Sequence, residues 1–532
     1  MHRETNPPPN VAGAAARARR PLRGATIGFL TVAIALGVAE LIAAFVGESA
    51  SPVIAVGGVA VDATPEWLKS FAIRTFGEQD KLVLTAGIVL VLAVAAVALG
   101  IGAVRRRAIG YTGVAVFAAI GIASALSRPA ASPWDVLPVV LGAAAGAYAL
   151  SRLLEANDAS AAAAGPEMPT AQREIANPDR RRFLLTSLAV GGVAVLAGGA
   201  GRALVGRRFD VEASRASVRL PAPSSPAGPL PAGSDIGVGD MQPFVTPNTD
   251  FYRVDTALIV PKLPADEWTL KVHGMVDRPL ELTYEQLLAR PMIERDVTLT
   301  CVSNEIGGPY VGNARWIGAP LADLLEEAGI RPDSTQLVST SIDGMTIGTP
   351  VDAVLDGRDA MLAIGMNGEP LPPEHGFPVR MVVPGLYGYV SATKWLIDLE
   401  ASTFEAFDPY WVRRGWAEEA PIETMSRIDT PRPLASVPAG SLAIGGVAWA
   451  QHVGIDRVEV RVDQGDWQQA RLAEVPSIDT WRQWSYAWDA TPGNHTLEAR
   501  AIDGDGQTQT SERSEPFPDG ATGWHSVVVT VT

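Results

Sequence analysis

A single cysteine in 532 residues confines the thiolate chemistry of this chain to one position. Cys301 lies in Thr298-Leu299-Thr300-Cys301-Val302-Ser303-Asn304, where an extended segment breaks into a Gly-rich loop. A lone cysteine closes no intramolecular disulfide, and in an oxidising compartment it is an unprotected thiol. It is either a small buried hydrophobe or a thiolate ligand to a soft or redox metal centre. Three further segments bear on the choice. Pro247-Asn248-Thr249-Asp250-Phe251-Tyr252-Arg253-Val254-Asp255 precedes the cysteine. Met366-Asn367-Gly368-Glu369-Pro370-Leu371-Pro372-Pro373-Glu374-His375-Gly376-Phe377-Pro378-Val379-Arg380 and Ala392-Thr393-Lys394-Trp395 follow it. His375, Arg380 and Lys394 can neutralise a phosphate, while Gly376 and Gly388 let backbone N–H groups approach one. One soft donor beside phosphate-binding groups suits an anionic, phosphate-bearing cofactor that also needs a thiolate for its metal.

The elements that must position these residues follow from periodicity. Asp266 to Val272 and Arg295 to Cys301 alternate apolar and polar residues at strand period. Ala319 to Gly329 predicts an amphipathic helix with Leu321, Leu324 and Leu325 on one face and Gly329 at its end. Residues 247–425 are therefore expected to form an α+β domain. Over 426–532 the texture becomes all-β: Arg457 to Val462, His495 to Ala501 and Ser526 to Val531 alternate cleanly, with Asp/Gly turn clusters between them. Short strands at this spacing predict an immunoglobulin-like β-sandwich without the cysteine pair of antibody domains. Residues 209–246, rich in Pro and Gly, are expected to be an extended linker.

Charge divides the chain more sharply. Residues 1–208 hold 20 Lys+Arg and 13 Asp+Glu (+7), residues 209–532 hold 23 and 45 (−22), and together they give the net −15. An acidic second half argues against a nucleic-acid partner. The mean hydropathy of +0.14 with 19% charged residues fits a membrane module joined to a soluble one. Five apolar stretches, about 25–46, 82–103, 110–127, 136–154 and 183–204, approach the roughly 20 residues a spanning helix needs. Arg17, Arg19, Arg20 and Arg23, then Arg105 to Arg107, then Arg180 to Arg182 flank alternate ends. Glu48, Asp62, Glu66, Glu78 and Asp80 lie in the intervening loop. The positive-inside rule then predicts a multi-pass cell-membrane protein with a cytoplasmic N-terminus and residues 209–532 outside; Arg207 and Arg208 oppose it. Arg180-Arg181-Arg182-Phe183-Leu184 also resembles a twin-arginine export signature; plain positive-inside charge is the alternative. None of the six histidines falls in a predicted span, so the bundle is not expected to hold a haem b. Glu40 is the one carboxylate inside a span.

The order Phe-x-Arg, Cys, Asn-Gly-x-Pro-Leu-Pro-x-x-His-Gly-Phe-Pro-Val-Arg, Lys-Trp over roughly 235–532 resembles the sulfite oxidase family of molybdopterin oxidoreductases. The resemblance implies a Mo-molybdopterin cofactor with Cys301 as the metal's protein ligand. It further implies that Phe251, Tyr252, Arg253, Val254, Asp255, Asp343, His375, Arg380, Ala392, Thr393 and Lys394 hold the pterin and its phosphate. It also implies a small-molecule substrate and, through the C-terminal sandwich, a homodimer. Arg253, Asn304 and Glu305 join Cys301 as catalytic candidates. The family pattern places arginines after the cysteine and a tyrosine before Met-Asn-Gly; this chain has Val302-Ser303-Asn304-Glu305-Ile306 and Ile364-Gly365 there. A carboxylate in that neighbourhood repels sulfite. The expectation is oxygen-atom transfer on a neutral S-oxide or N-oxide, as in the family's methionine-sulfoxide-reducing branch. A sulfite oxidase or dehydrogenase is one alternative, and a non-enzymatic anchored binding module with Cys301 in its core is the other. With no cytochrome-type segment and no spare cysteine for an iron–sulfur cluster, electrons are expected to pass to or from a separate quinone-linked or cytochrome partner.

Overall fold

A computed structural model describes residues 11–532 except 48–49, 66–67, 69–70, 72–74, 77–79, 129–130, 163–177, 209 and 240. Glu48, Glu66 and Glu78 thus lie outside the described residues. The chain forms two compact units, one running to Asp210 and including Ala257–Ile259, the other comprising Val211–Thr256 and Val260–Thr532.

The first unit is helical: α1 (Val11–Val46), α2 (Pro52–Ala63), α3 (Asp80–Arg105), α4 (Arg107–Leu126), α5 (Leu137–Ala162) and α6 (Pro178–Arg208). Five helical segments, Pro21–Val46, Leu82–Arg105, Arg107–Leu126, Pro133–Ala159 and Arg181–Ser217, are long and apolar enough to cross a membrane. The stretch between the first two is not a loop throughout: it contains α2, whose Val, Ile and Ala run sustains helix but is too short to span. Small residues set how closely the helices meet. A Cβ on Gly28 would collide with the Ala96 carbonyl oxygen, and one on Gly100 with that of Gly24. Close backbone approach maximises the packing of such helices. Arg106 takes an extended conformation (φ −142°, ψ 109°), which separates α3 from α4 inside the basic triplet.

The second unit holds one mixed sheet and one antiparallel sheet, each with short helices beside it, and a β-rich C-terminal region. One sheet runs Leu280–Thr283, Thr269–Gly274, Leu396–Ser402, Gln336–Ser341, Thr346–Pro350; the other runs Ile293–Thr300, Val311–Pro320, Met361–Met366, Glu369–Pro370. The predicted helix is Leu321–Ala328, stopped by Gly329 in the left-handed region (φ 67°) with Leu321, Leu324 and Leu325 buried. Trp268 and Trp316 anchor the shared core. C-terminally, two sheets built around Gly440–Trp449 with Arg482–Ala490, and Gly493–Asp503 with Ile455–Val462 and His525–Val531, share a second core containing Trp484, Val460 and Val529.

The expected linker is the main correction. Val211–Ser217 is a helix, and the Pro-rich stretch after it lies along the second unit instead of hanging free. The Ser224 amide donates to Met292 O (2.8 Å) and the Glu294 amide to Ser225 O (2.9 Å). Further on, the Ile236 amide donates to Gln483 Oε1 (2.7 Å), and Phe244 is buried with Trp449 and Trp481. Proline forbids regular pairing, yet it leaves carbonyls and alternate amides able to satisfy a neighbouring strand.

Candidate functional site

Cys301 ends the strand Ile293–Thr300, and its placement is set from both sides. Its amide donates to Tyr310 O (3.0 Å) and its carbonyl accepts from Asn304 (3.0 Å), so residues 301–310 close a compact loop. Asn304 Oδ1 accepts from the Tyr310 amide (2.8 Å), which engages that side chain in shaping the loop. The C-terminal region grips the same strand. Trp481 N–H donates to Thr298 Oγ1 (2.7 Å), Thr298 N–H donates to Asp479 O (2.9 Å), and Gln451 Nε2 donates to Thr300 Oγ1 (2.9 Å). Arg427 donates to Gly308 O (2.9 Å), and His525 packs against Gly307. The Cys301 thiol is buried, which pushes its pKa up; hydrogen bonds from Ser303 and the charge of Lys394 act against that rise.

The second half of the site grows from a hairpin. Asn367 (φ 54°) and Gly368 (φ 82°) both adopt the left-handed backbone that a two-residue turn requires. Asn367 then binds outward, its Nδ2 donating to Thr246 O (2.9 Å) and Asn248 Oδ1 (2.8 Å). That fixes the 246–248 segment, whose Asn248 carbonyl meets His375 Nε2 at 2.9 Å. A carbonyl partner makes Nε2 the protonated nitrogen. Burial, reinforced by the charges of Arg380, Lys394 and Arg253, depresses the His375 pKa to about 4, so the ring is neutral at pH 7. Phe251 meets it edge-on at 5.5 Å and stacks on Tyr252 at 5.2 Å.

Three cations gather here. Asp255 Oδ2 accepts from Lys394 Nζ (2.8 Å) and Arg253 Nε (2.8 Å). Lys394 is brought down to about 8 by desolvation. Arg380 is buried, donates to the His375 and Ala392 carbonyls (3.1 and 3.4 Å), lies 5.0 Å over Trp316, and is lowered to about 10 by desolvation. Its Nε has no acceptor among the described residues. Gly376, at φ 109°, leaves only 3.1 Å between a would-be Cβ and both Arg380 Cβ and Lys394 Cα, so glycine is required where the two cations converge.

Most of the sequence-predicted residues are therefore brought together. Thr393 is buried and paired with Ser339 (2.5 Å), and Ala392 supplies its carbonyl to Arg380. Asp343 caps its own turn through Met345 N–H (3.2 Å), and that turn is tied to Trp395 O through the Ile342 amide (3.0 Å). Val254 and Glu305 are exposed. Exposure takes most of the force from the expectation that Glu305 sets the field at Cys301, because water screens a solvated charge. Tyr387 was not anticipated from sequence. Its phenol is buried, accepts from the Glu423 amide (3.3 Å), and is raised mainly by desolvation, with the Cys301 charge contributing. Only the adjacent Gly385 and Gly388 signal it. Tyr252 likewise is raised by burial and by Cys301. Two phenols thus lie within electrostatic reach of the thiol, although the position before Met366 carries none.

A buried thiol within the field of Lys394, whose cluster includes a buried, under-satisfied Arg380 guanidinium and a neutral histidine, is suited to an anionic redox cofactor. Residues 257–411 match the oxidoreductase molybdopterin binding domain. Over 274 residues the chain is 32% identical to mitochondrial sulfite oxidase of Rattus norvegicus, which covers 43% of this chain and 49% of that protein. It is 37% identical over 150 residues to the uncharacterized oxidoreductase YuiH of Bacillus subtilis, covering 28% and 72% respectively. The sulfane dehydrogenase SoxCD of Paracoccus pantotrophus aligns at 25% identity over 55% of this chain and 85% of that one, with a TM-score of 0.49. The chain spans about half the length of the first of these relatives. It belongs to the sulfite oxidase family of molybdopterin-dependent oxidoreductases, whose cofactor is Mo-molybdopterin. The unpaired Arg380 Nε and the lone buried thiol fit that group.

Proposed function

We propose that the chain catalyses oxygen-atom transfer, reducing a small neutral S-oxide or N-oxide with two electrons and two protons to the deoxygenated product and water. The observation that carries this reading is Cys301 placed beside a cation cluster in which Arg380 lacks an acceptor for its Nε. Cys301 would ligate the metal, while Arg380, Lys394 and His375, with Phe251 to Asp255, Asp343, Ala392 and Thr393, would hold the pterin and neutralise its phosphate. When bound, the molybdenum–pterin group supplies the two-electron couple and the site that accepts oxygen. Residues 302–306 contain no cation, so nothing there offsets the desolvation of an anionic substrate, whereas a neutral oxide incurs no such cost. Sulfite oxidation is the second reading. Arg253 favours it, because its guanidinium is 30% exposed and retained in the Phe-x-Arg motif.

The apolar helices and basic flanks support a membrane-anchored protein with its catalytic part outside the cytoplasm, exported through the Arg180–Phe183 segment. The paired C-terminal sheets support an immunoglobulin-like sandwich serving a homodimer, with electrons exchanged with a separate partner. The deciding experiment measures purified full chain at known molybdenum content in two assays. Oxidation of reduced viologen by dimethyl sulfoxide, methionine sulfoxide and trimethylamine N-oxide is compared with sulfite-dependent acceptor reduction. Turnover of the neutral oxides alone supports the first reading; sulfite turnover alone replaces it with the second; absence of molybdenum removes both.

A further inference from the structure

In the second unit, residues 405–423 meet residues 512–520. The Ala417 amide donates to Pro518 O (3.1 Å), and the rings of the two segments interlock. Trp416 lies edge-on to Phe517 at 5.3 Å and to Trp411 at 6.1 Å, with Tyr389 tilted against it at 5.8 Å. Tyr410 stands edge-on to Trp411 at 5.0 Å. Trp416 is 9% exposed and forms the floor of the patch, whereas Phe517 is 52% exposed. Gly415 (φ 90°) gives that ring its seat, since a Cβ there would come within 3.3 Å of Phe517 Cζ. Single apolar side chains are ordinary on a surface, but an open ring continuous with a ring cluster has the form of an interface anchor. The surroundings carry a definite sign. Residues 405–419 and 512–519 hold seven Asp+Glu and three Arg, a net −4. Arg413 and Arg414 lie over the Phe407 and Tyr410 rings (6.0 and 3.5 Å), while Glu418, Glu419, Glu515 and Asp519 are exposed. Half-buried Glu423 is raised by burial first and then by the charge of Asp519. A cationic surface relieves that crowding; an anionic lipid or an acidic protein adds to it.

The patch also adjoins the centre. A Cβ on Gly520 (φ 123°) would sit 2.6 Å from Tyr387 Oη. Tyr387 thus has the segment carrying Phe517 against its hydroxyl and the Cys301 thiol within electrostatic reach. Electron tunnelling falls steeply with distance, which favours exchange through a face so placed. We propose that this face docks a basic one-electron carrier protein, which seats on Phe517 and Trp411 within the acidic rim and exchanges electrons with the centre past Tyr387. The proposal rests on the oxygen-atom-transfer reading for its purpose: two reduced carriers supply the electrons, 2 Cred + XO + 2 H⁺ giving 2 Cox + X + H₂O.

The probe is zinc-substituted cytochrome c, a basic protein whose photoexcited triplet is a one-electron donor. Its affinity for the molybdenum-loaded full chain is read by calorimetry, and electron delivery by quenching of the triplet. Saturable, salt-sensitive binding is expected. Glu418→Lys with Glu419→Lys should weaken it about tenfold or more, whereas the same charge change at exposed Glu281 and Glu285 should weaken it about twofold or less. Phe517→Ser should cost about fivefold or more while leaving the salt dependence in place, as expected of an apolar anchor. Thermal melting of each variant checks that the fold survives, and viologen-driven turnover should stay at the wild-type level in all of them. Equal weakening by the Glu281 and Glu285 pair would reduce the binding to net charge and overturn the proposal. Unchanged affinity in folded Phe517→Ser would overturn it as well, and so would quenching as strong with molybdenum-free protein as with loaded protein. The two readings fail separately: absent viologen-driven turnover with local docking intact defeats the catalytic reading, and non-local binding with turnover intact defeats the docking face.

Discussion

On the cationic side of the site, Arg253, Arg380 and Lys394 crowd around a neutral His375 with Asp255 as the carboxylate that binds two of them. On the thiol side, Val302, Ser303 and Asn304 follow Cys301 with no cation among them, Lys394 acts on the thiol through its charge alone, and Glu305 is turned to solvent. One side desolvates several like charges; the loop after the thiol carries no cation of its own and is shaped by backbone hydrogen bonds. The difference separates two tasks. On the proposed reading, affinity for the cofactor is concentrated in buried charge, and the loop after Cys301 is left uncommitted to a charged ligand.

The contrast predicts a graded series of effects. Cys301→Ser should lower turnover by roughly three orders of magnitude, about 4 kcal/mol of transition-state stabilisation. Melting temperature should barely change, because the swap is nearly isosteric. Near-normal turnover would show that the metal is held elsewhere. Arg380→Ala should reduce cofactor retention about 30- to 100-fold, as expected for one charge-assisted contact. Molybdenum content and activity should then fall together; full occupancy would place the phosphate away from this cluster.

A pH titration probes the same side without cofactor. The folded-state pKa of His375 is about 4 against 6.5 unperturbed. Between those values the unfolded chain binds more protons, so stability is present above about pH 6.5 and lost as pH falls toward 4. His525, also near 4 through burial, contributes in the same direction. Urea unfolding of cofactor-free protein should show this slope, and His375→Asn should flatten it; an unaltered slope would assign acid sensitivity to other groups. The smallest effect belongs to the loop after the thiol. Glu305→Arg should raise sulfite oxidation only a few-fold, with Glu305→Gln in between, because an exposed charge is worth about 1 kcal/mol or less. Wild-type sulfite turnover equal to that of Glu305→Arg would remove the charge argument and leave the sulfite-oxidising reading.

Legibility in the sequence followed from how local the physics was. The helix Leu321–Ala328 was readable because leucine spacing and Gly329 act within a few residues, and the apolar helices because hydropathy accumulates over twenty. The convergence of His375, Arg380 and Lys394 was visible through motif order. Residues 218–246 were not readable, because their partners Met292, Gln483 and Trp481 are remote in sequence and composition does not encode which edge a proline-rich strand will follow. Tyr387 was hidden for the same reason: only the tertiary fold brings its phenol near the thiol. Glu305 shows the converse error, since adjacency to Cys301 in sequence did not bring burial.

Thr298 lies three residues before Cys301 and is fastened by Asp479, Gln451 and Trp481. The C-terminal region is therefore not an exchangeable cassette. A chimera that imports it from a relative inherits a foreign clamp on the strand that delivers the thiol, so residues 293–313 and 449–484 must be transplanted as one inheritance block. Recombination points for directed evolution belong outside that pair of segments.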